Sequence, residues 1–104
     1  MESISNSYKV ALNPKAYSDI EEIYKYITHV IEEPVVAKKQ IERLKNAINS
    51  LSSFPNAHQD RLVGRFANQG FKQLIIDNFV VIYLVYEKQK QVNIVTVQYI
   101  GRNI

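Results

Sequence analysis

Five side chains in the second half of the chain, Arg61, Arg65, Lys72, Tyr99 and Arg102, are of types that can act on an anionic ligand. Guanidinium and ammonium groups neutralise phosphate or carboxylate, and a tyrosine can stack on a base or serve as a weak acid. Their surroundings are cationic: from position 61 onward Arg61, Arg65, Lys72, Lys88, Lys90 and Arg102 are set against only Asp77 and Glu87, whereas residues 14–33 hold Asp19, Glu21, Glu22, Glu32 and Glu33 against Lys15 and Lys25. Each candidate has an ordinary structural alternative. Arg61 and Arg65 fit solvated loop charges, and Lys72, alternating with Phe71, fits a solvent-facing strand residue. Tyr99 continues the parity of Val95 and Val97 and fits a core-edge aromatic. His29 lies late in a helical pattern, where a cation favours the dipole, and His58 lies in a loop. No His, Asp or Glu spacing resembles a metal site and no glycine-rich phosphate loop occurs, so neither a metal nor a cofactor is expected.

The elements that must position these groups are written in the hydrophobic pattern. The run from Phe79 to Tyr86 is apolar on both parities, which predicts a central strand covered on both faces. Asp77-Asn78 before it and Lys88 to Gln91 after it read as tight reversals, giving three strands joined by two hairpins. Upstream, Tyr8 to Leu12 alternates and predicts a short strand at a sheet margin. Asn13-Pro14 then reads as an N-cap and first helical residue, with the asparagine side chain accepting a free backbone N–H. Ala16, Ile20, Ile23, Tyr24, Ile27 and Val30 form one helical stripe, and Glu33-Pro34 ends it. Ala37, Ile41, Leu44, Ile48 and Leu51 form a second stripe closed by Phe54-Pro55, so an antiparallel helical hairpin is expected, each helix roughly 30 Å long. Residues 56–70 are polar, carry two of the three glycines and read as the main irregular segment.

At 104 residues the chain is expected to form one α+β domain over residues 8–104, preceded by a polar tail at 1–7. The absence of cysteine excludes disulfides and thiolate centres. No run approaches the ~18 apolar residues of a membrane span, and a cytoplasmic location with no membrane partner is expected. The net charge of +3 and sequence pI of 9.2 are compatible with nucleic acid or an acidic protein without demanding either.

Four local phrases, in order, resemble the RelE/ParE superfamily of bacterial type II toxins. Ala16-Tyr17-Ser18-Asp19-Ile20-Glu21-Glu22-Ile23-Tyr24-Lys25-Tyr26-Ile27 is similar to its first-helix signature. Leu51-Ser52-Ser53-Phe54-Pro55 is similar to its second-helix end. Phe71-Lys72-Gln73-Leu74 with Phe79-Val80-Val81-Ile82-Tyr83 is similar to its hairpin, and Val92 to Arg102 is similar to its closing strand and terminal basic residue. The resemblance covers residues 8–102 and implies a strand, an antiparallel helical hairpin and a three-stranded antiparallel meander.

RelE-type members cleave messenger RNA on the ribosome, whereas ParE-type members poison DNA gyrase on the same scaffold. The first activity is the leading expectation, the second and an inactive antitoxin-binding scaffold the alternatives. For metal-free RNA cleavage the resemblance implies Arg65, Lys72, Tyr99 and Arg102 as catalytic residues, with Arg61, Arg65, Lys72 and Arg102 on nucleic acid. Relatives that cleave RNA carry an arginine near position 74, where this chain reads Gln73-Leu74-Ile75; a lysine at 72 lacks arginine's bidentate grip. A cognate antitoxin is the implied partner, with Tyr17, Tyr26 and Val36, apolar positions partly off the helical stripes, as its contacts. Ribosome and mRNA, or gyrase, are the implied targets.

Overall fold

The computed structural model describes residues 7–31 and 34–100. The chain runs through β1 (Lys9–Leu12), α1 (Pro14–Tyr26), a π-helical turn (Ile27–Ile31), α2 (Pro34–Ser50), a short 3-10 turn (Pro55–Ala57), β2 (Gln59–Asp60), β3 (Lys72–Ile76), β4 (Phe79–Tyr86) and β5 (Gln91–Tyr99). The α+β class and the order of strand, helical pair and meander are those expected. The proposed tail at 1–7 lies outside the described residues except for Ser7, as do Glu33, Arg102 and the side chain of Val30.

The sheet has five strands in the order β1-β5-β4-β3-β2. β1 pairs parallel with β5, and the other neighbours are antiparallel. The additional strand, β2, is only two residues long, too short for side-chain alternation to mark it in a sequence. It forms because Gln59 and Asp60 fall opposite Gln73 and Lys72. The meander turns lie at the two reversals expected: Asp77 has a φ of 52°, a region aspartate tolerates better than most residues, and Lys90 has a φ of 52° without that advantage.

One face of the sheet carries the core. Leu74, Phe79, Val81, Tyr83, Val92, Ile94 and Val97 pack with Ala16, Ile20, Ile23 and Ile27 of the first helical segment and Ala37, Ile41, Leu44 and Ile48 of α2. The doubly apolar run behaves as its pattern requires over Phe79 to Tyr83, all five residues being buried; Val80 and Ile82 are buried on the parity opposite the helix-side cluster. Toward Tyr86 the strand becomes exposed.

Three local expectations are corrected. Asn13 is the N-cap of α1 and Pro14 its first residue, but the asparagine side chain makes no capping bond; its main chain is used instead, N–H to the Ile94 carbonyl and C=O from the Tyr17 N–H. The first helix does not continue as α-helix to Glu33, because its hydrogen-bonding widens to the π pattern at Ile27. Tyr24 does not belong to the core stripe and is exposed.

β1 covers the edge of β5 only as far as Ile94. Beyond it, α1 closes that edge: the Asp19 carboxylate accepts the Val97 N–H at 3.0 Å, and the Thr96 hydroxyl donates to the same oxygen. The register of β5 on β4 shifts here, Ile82 lying opposite Thr96 and Tyr83 opposite Ile94. Val97 itself stays in register opposite Val81, and its N–H lies along the stretch of β5 that β1 does not cover, where Asp19 supplies the partner.

Candidate functional site

Residues 61–71 link β2 to β3, and hydrogen bonding more than burial shapes them. The Arg61 N–H donates to the Phe71 carbonyl at 2.8 Å, the Asn68 N–H to the Arg61 carbonyl at 2.8 Å and the Ala67 N–H to the Gly64 carbonyl at 3.2 Å. The Arg61 guanidinium closes the loop from inside, Nε donating to the Arg65 carbonyl at 3.0 Å and Nη1 to Gln73 Oε1 at 2.9 Å. Arg61 is therefore a brace, with two of its five guanidinium N–H groups bonded to the protein itself. Arg65 is exposed, and its guanidinium carbon stands 5.4 Å from the Phe66 ring centroid. The Phe66 ring packs on Phe71 at 4.8 Å between centroids.

Lys72 opens β3 and shares the parity of Leu74, so it projects on the helix-side face. Its ammonium is 2.8 Å from Asp60 Oδ1. It neither faces open solvent nor stands as an uncompensated charge for phosphate. Gln73, the residue that holds Arg61, has the other parity, so Arg61 and Lys72 serve opposite faces of the sheet. Tyr83, opposite Lys72 on β4, is fully buried and donates its hydroxyl to the Pro55 carbonyl at 2.6 Å. Burial first, and the nearby Asp60 charge second, push the phenol well above its ordinary pKa, so it remains a neutral donor.

Tyr99 ends β5 inside an aromatic cluster, 5.3 Å from the Phe79 ring and 5.6 Å from the Tyr26 ring. In register terms Lys72 stands in the row Lys72–Tyr83–Ile94 and Tyr99 in the row Ile76–Phe79–Tyr99. Four residues along a strand correspond to roughly 13 Å, and the two strand spacings across add roughly 10 Å of lateral offset. The described members of the proposed catalytic set therefore do not converge: Arg65 is on the loop, Lys72 is ion-paired, and Tyr99 is at the far end of the sheet in aromatic packing. Arg102 lies outside the described residues. On the face away from the helices, register places the amides Gln73, Gln91, Asn93 and Gln98, with Lys9 of β1 and Tyr86 of β4 beside Gln91. Among the described residues no group of three His, Asp or Glu side chains is arranged for a metal, and no helix is long and apolar enough to cross a membrane.

A second feature lies on the helical side. A groove of about 740 Å³ runs between α1 and α2, with Tyr17, Ile20, Tyr24, Ile41 and Ile48 in its lining and Leu12 of β1 contributing. Glu21, Lys25, Lys38, Glu42 and Lys45 also line it, so an apolar path is bordered by both signs of charge. Of the three proposed partner contacts, Tyr17 lies in this groove. Tyr26 turns to the other flank of α1 and meets Tyr99, and Val36 is exposed on α2 outside the groove lining. Tyr24, which sequence reading assigned to the core, lines the groove. Its seven-residue spacing from Tyr17, two helical turns, was the available signal.

Comparison with known proteins agrees with this architecture. A search with the sequence finds no significant match among curated proteins. The chain is similar in structure to a chain of the chromosomal ParDE TA system from P. aeruginosa, with a TM-score of 0.74 and 18% identity over 92% of this chain and 99% of that one. It is also similar to a chain of the RelBE2 toxin-antitoxin complex from Mycobacterium tuberculosis, TM-score 0.62 at 17% identity over 89% and 91% of the two chains. An arginine double mutant of E. coli RelE in the free state gives a TM-score of 0.59 at 13% identity, covering 92% and 86%. The family model for the ParE toxin of the type II toxin-antitoxin system parDE matches residues 10–103, and with nearly the whole described sheet and helical pair inside that match, the chain belongs to the ParE toxin family.

Proposed function

We propose that this chain arrests bacterial growth by binding a protein target, DNA gyrase on the ParE-type reading, without cleaving RNA itself. The observation that carries this is the separation of the cationic and phenolic groups. Transesterification of RNA needs base, acid and phosphate clamp within reach of one phosphodiester. Here Lys72 is compensated by Asp60 at 2.8 Å, Tyr99 is packed between Phe79 and Tyr26, and Arg61 is bonded to its own loop. The family model, that of a ParE toxin, supports the gyrase-directed branch over the ribonuclease branch.

The groove between α1 and α2 fits the amphipathic helix of a cognate antitoxin. Tyr17 and Tyr24 lie two turns apart along it, the spacing at which a docked helix presents anchors, and the mixed charges around them can set register. This partner reading is supported by the neighbouring structures, two of which come from toxin-antitoxin systems.

The test uses the purified chain and purified gyrase. Supercoiling should be inhibited in proportion to the chain added, while ribosome-bound messenger RNA should remain intact. Lys72→Ala should retain toxicity within about twofold, since a partly exposed ion pair contributes at most about 1 kcal/mol. Cleaved messenger RNA with wild-type chain, and intact messenger RNA with Lys72→Ala, would reinstate the ribonuclease reading.

A further inference from the structure

We infer that the tip of the β2–β3 loop, Leu62 and Val63 with Arg65, is the surface by which the chain engages its target, an acidic protein face with an apolar recess. The inference rests on the protein-binding reading above and adds the contact. Val63 is 79% exposed and Leu62 63% exposed. Two adjacent aliphatics standing in water at a loop tip serve no packing purpose, and exposed apolar clusters of this kind mark interaction sites.

The loop is also held in shape. Arg61 ties it internally and to β3, three main-chain bonds close it, and Gly64, Phe66 and Asn68 are fixed at φ of 81°, 67° and 59°. Positive φ at a bulky phenylalanine is costly and persists only where surrounding contacts enforce it; the Phe71 ring at 4.8 Å is such a contact. A loop ordered in advance loses little conformational entropy when a partner docks.

Charge selects the partner. Of the three cations between residues 59 and 73, Lys72 is paired with Asp60 and Arg61 is bonded inside the loop. Arg65 is exposed two positions beyond Val63, and its guanidinium lies over the Phe66 ring. A cation adjoining two aliphatics complements a carboxylate bordering an apolar hollow, whereas a phosphate backbone would leave Leu62 and Val63 facing water.

The experiment induces the full chain in bacteria from a titratable promoter and reads the inducer concentration that halves growth, alongside the thermal midpoint of each purified variant. Leu62→Ser/Val63→Ser and Arg65→Glu should each raise that concentration by about tenfold or more, the scale of losing one interface anchor, with thermal midpoint and accumulation unchanged; Arg65→Lys should fall between. A serine double variant as toxic as wild type overturns the inference. Loss of toxicity in Arg65→Glu alone, with the serine variant fully active, overturns it in favour of a cationic nucleic-acid contact. The two readings fail separately: if the serine variant loses arrest while purified gyrase is unaffected by wild-type chain, the loop surface stands and the gyrase assignment falls. Absence of arrest by the wild-type chain removes both.

Discussion

Asp19 illustrates how one side chain joins two elements that the sequence places 77 residues apart. Partial burial pushes its carboxyl upward, but hydrogen bonds from Lys15, Thr96 and the Val97 N–H, with the Lys15 charge, outweigh that and leave it below the ordinary value of 3.8. A carboxylate whose pKa is depressed on folding stabilises the fold above the unfolded pKa, and this contribution disappears as pH falls through the lower folded value. Asp19→Ala should therefore lower stability by about 1–3 kcal/mol at neutral pH, the scale of leaving a strand-edge N–H unpaired, measured by urea unfolding. The gap between wild type and Asp19→Ala should narrow as pH drops below about 4. A gap independent of pH would mean that packing, not the carboxylate, holds α1 to β5. Tyr83→Phe makes a simpler case: the variant keeps the ring but orphans the Pro55 carbonyl, so a loss of about 1–2 kcal/mol is expected, with the meander intact by circular dichroism.

At the scale of elements, the β2–β3 loop and the meander turns are where the chain adopts unusual backbone. Gly64 and Gly70 both have positive φ, at 81° and 88°, but a Cβ at 64 would stand 2.8 Å from Arg61 Nη2 whereas one at 70 would meet nothing within 4 Å. Gly70→Ala should thus cost about 1 kcal/mol from backbone conformation alone. Gly64→Ala adds displacement of the Arg61 brace and should open the loop to limited proteolysis, while Gly70→Ala leaves its cleavage rate near wild type. Equal proteolysis of the two variants would show that Arg61 does not brace the loop. Elsewhere, Arg43 of α2 donates two bonds of 2.8 Å to Asp77 in the β3–β4 turn, tying helix to hairpin. Both groups are largely solvated, so the pair orients more than it stabilises.

For the whole molecule, the groove and the loop tip occupy opposite margins of the sheet, the groove reaching β1 and the loop following β2. Four strand spacings, roughly 19 Å, separate those margins. Substitutions in the two places should therefore divide the phenotype. Tyr17→Glu/Tyr24→Glu should remain toxic yet escape rescue by a cognate antitoxin, whereas Leu62→Ser/Val63→Ser should lose toxicity and still bind it. Co-expression growth assays and co-purification read both. A groove variant that is still rescued would move the antitoxin contact off the helical pair.

The α+β class, both helices, the meander and its turns could be read along the chain because periodicity, proline and Asp-Asn placement are local properties. Phe79 to Tyr83 had to be central, since nothing but a covered strand accommodates apolar side chains on both parities. Candidate residues could be named by type, and the family signature on Ala16 to Ile27 was present in the linear order. What the linear order did not contain was pairing across distance: that Asp60 meets Lys72, that Arg61 turns back on its own loop, and that Tyr99 meets Tyr26. A charge acts by what lies within a few ångströms of it, and those neighbours come from strands and loops brought together only by folding. The local patterns therefore specified the scaffold, while tertiary contacts separated the expected catalytic groups and left an apolar, singly charged loop tip on the surface.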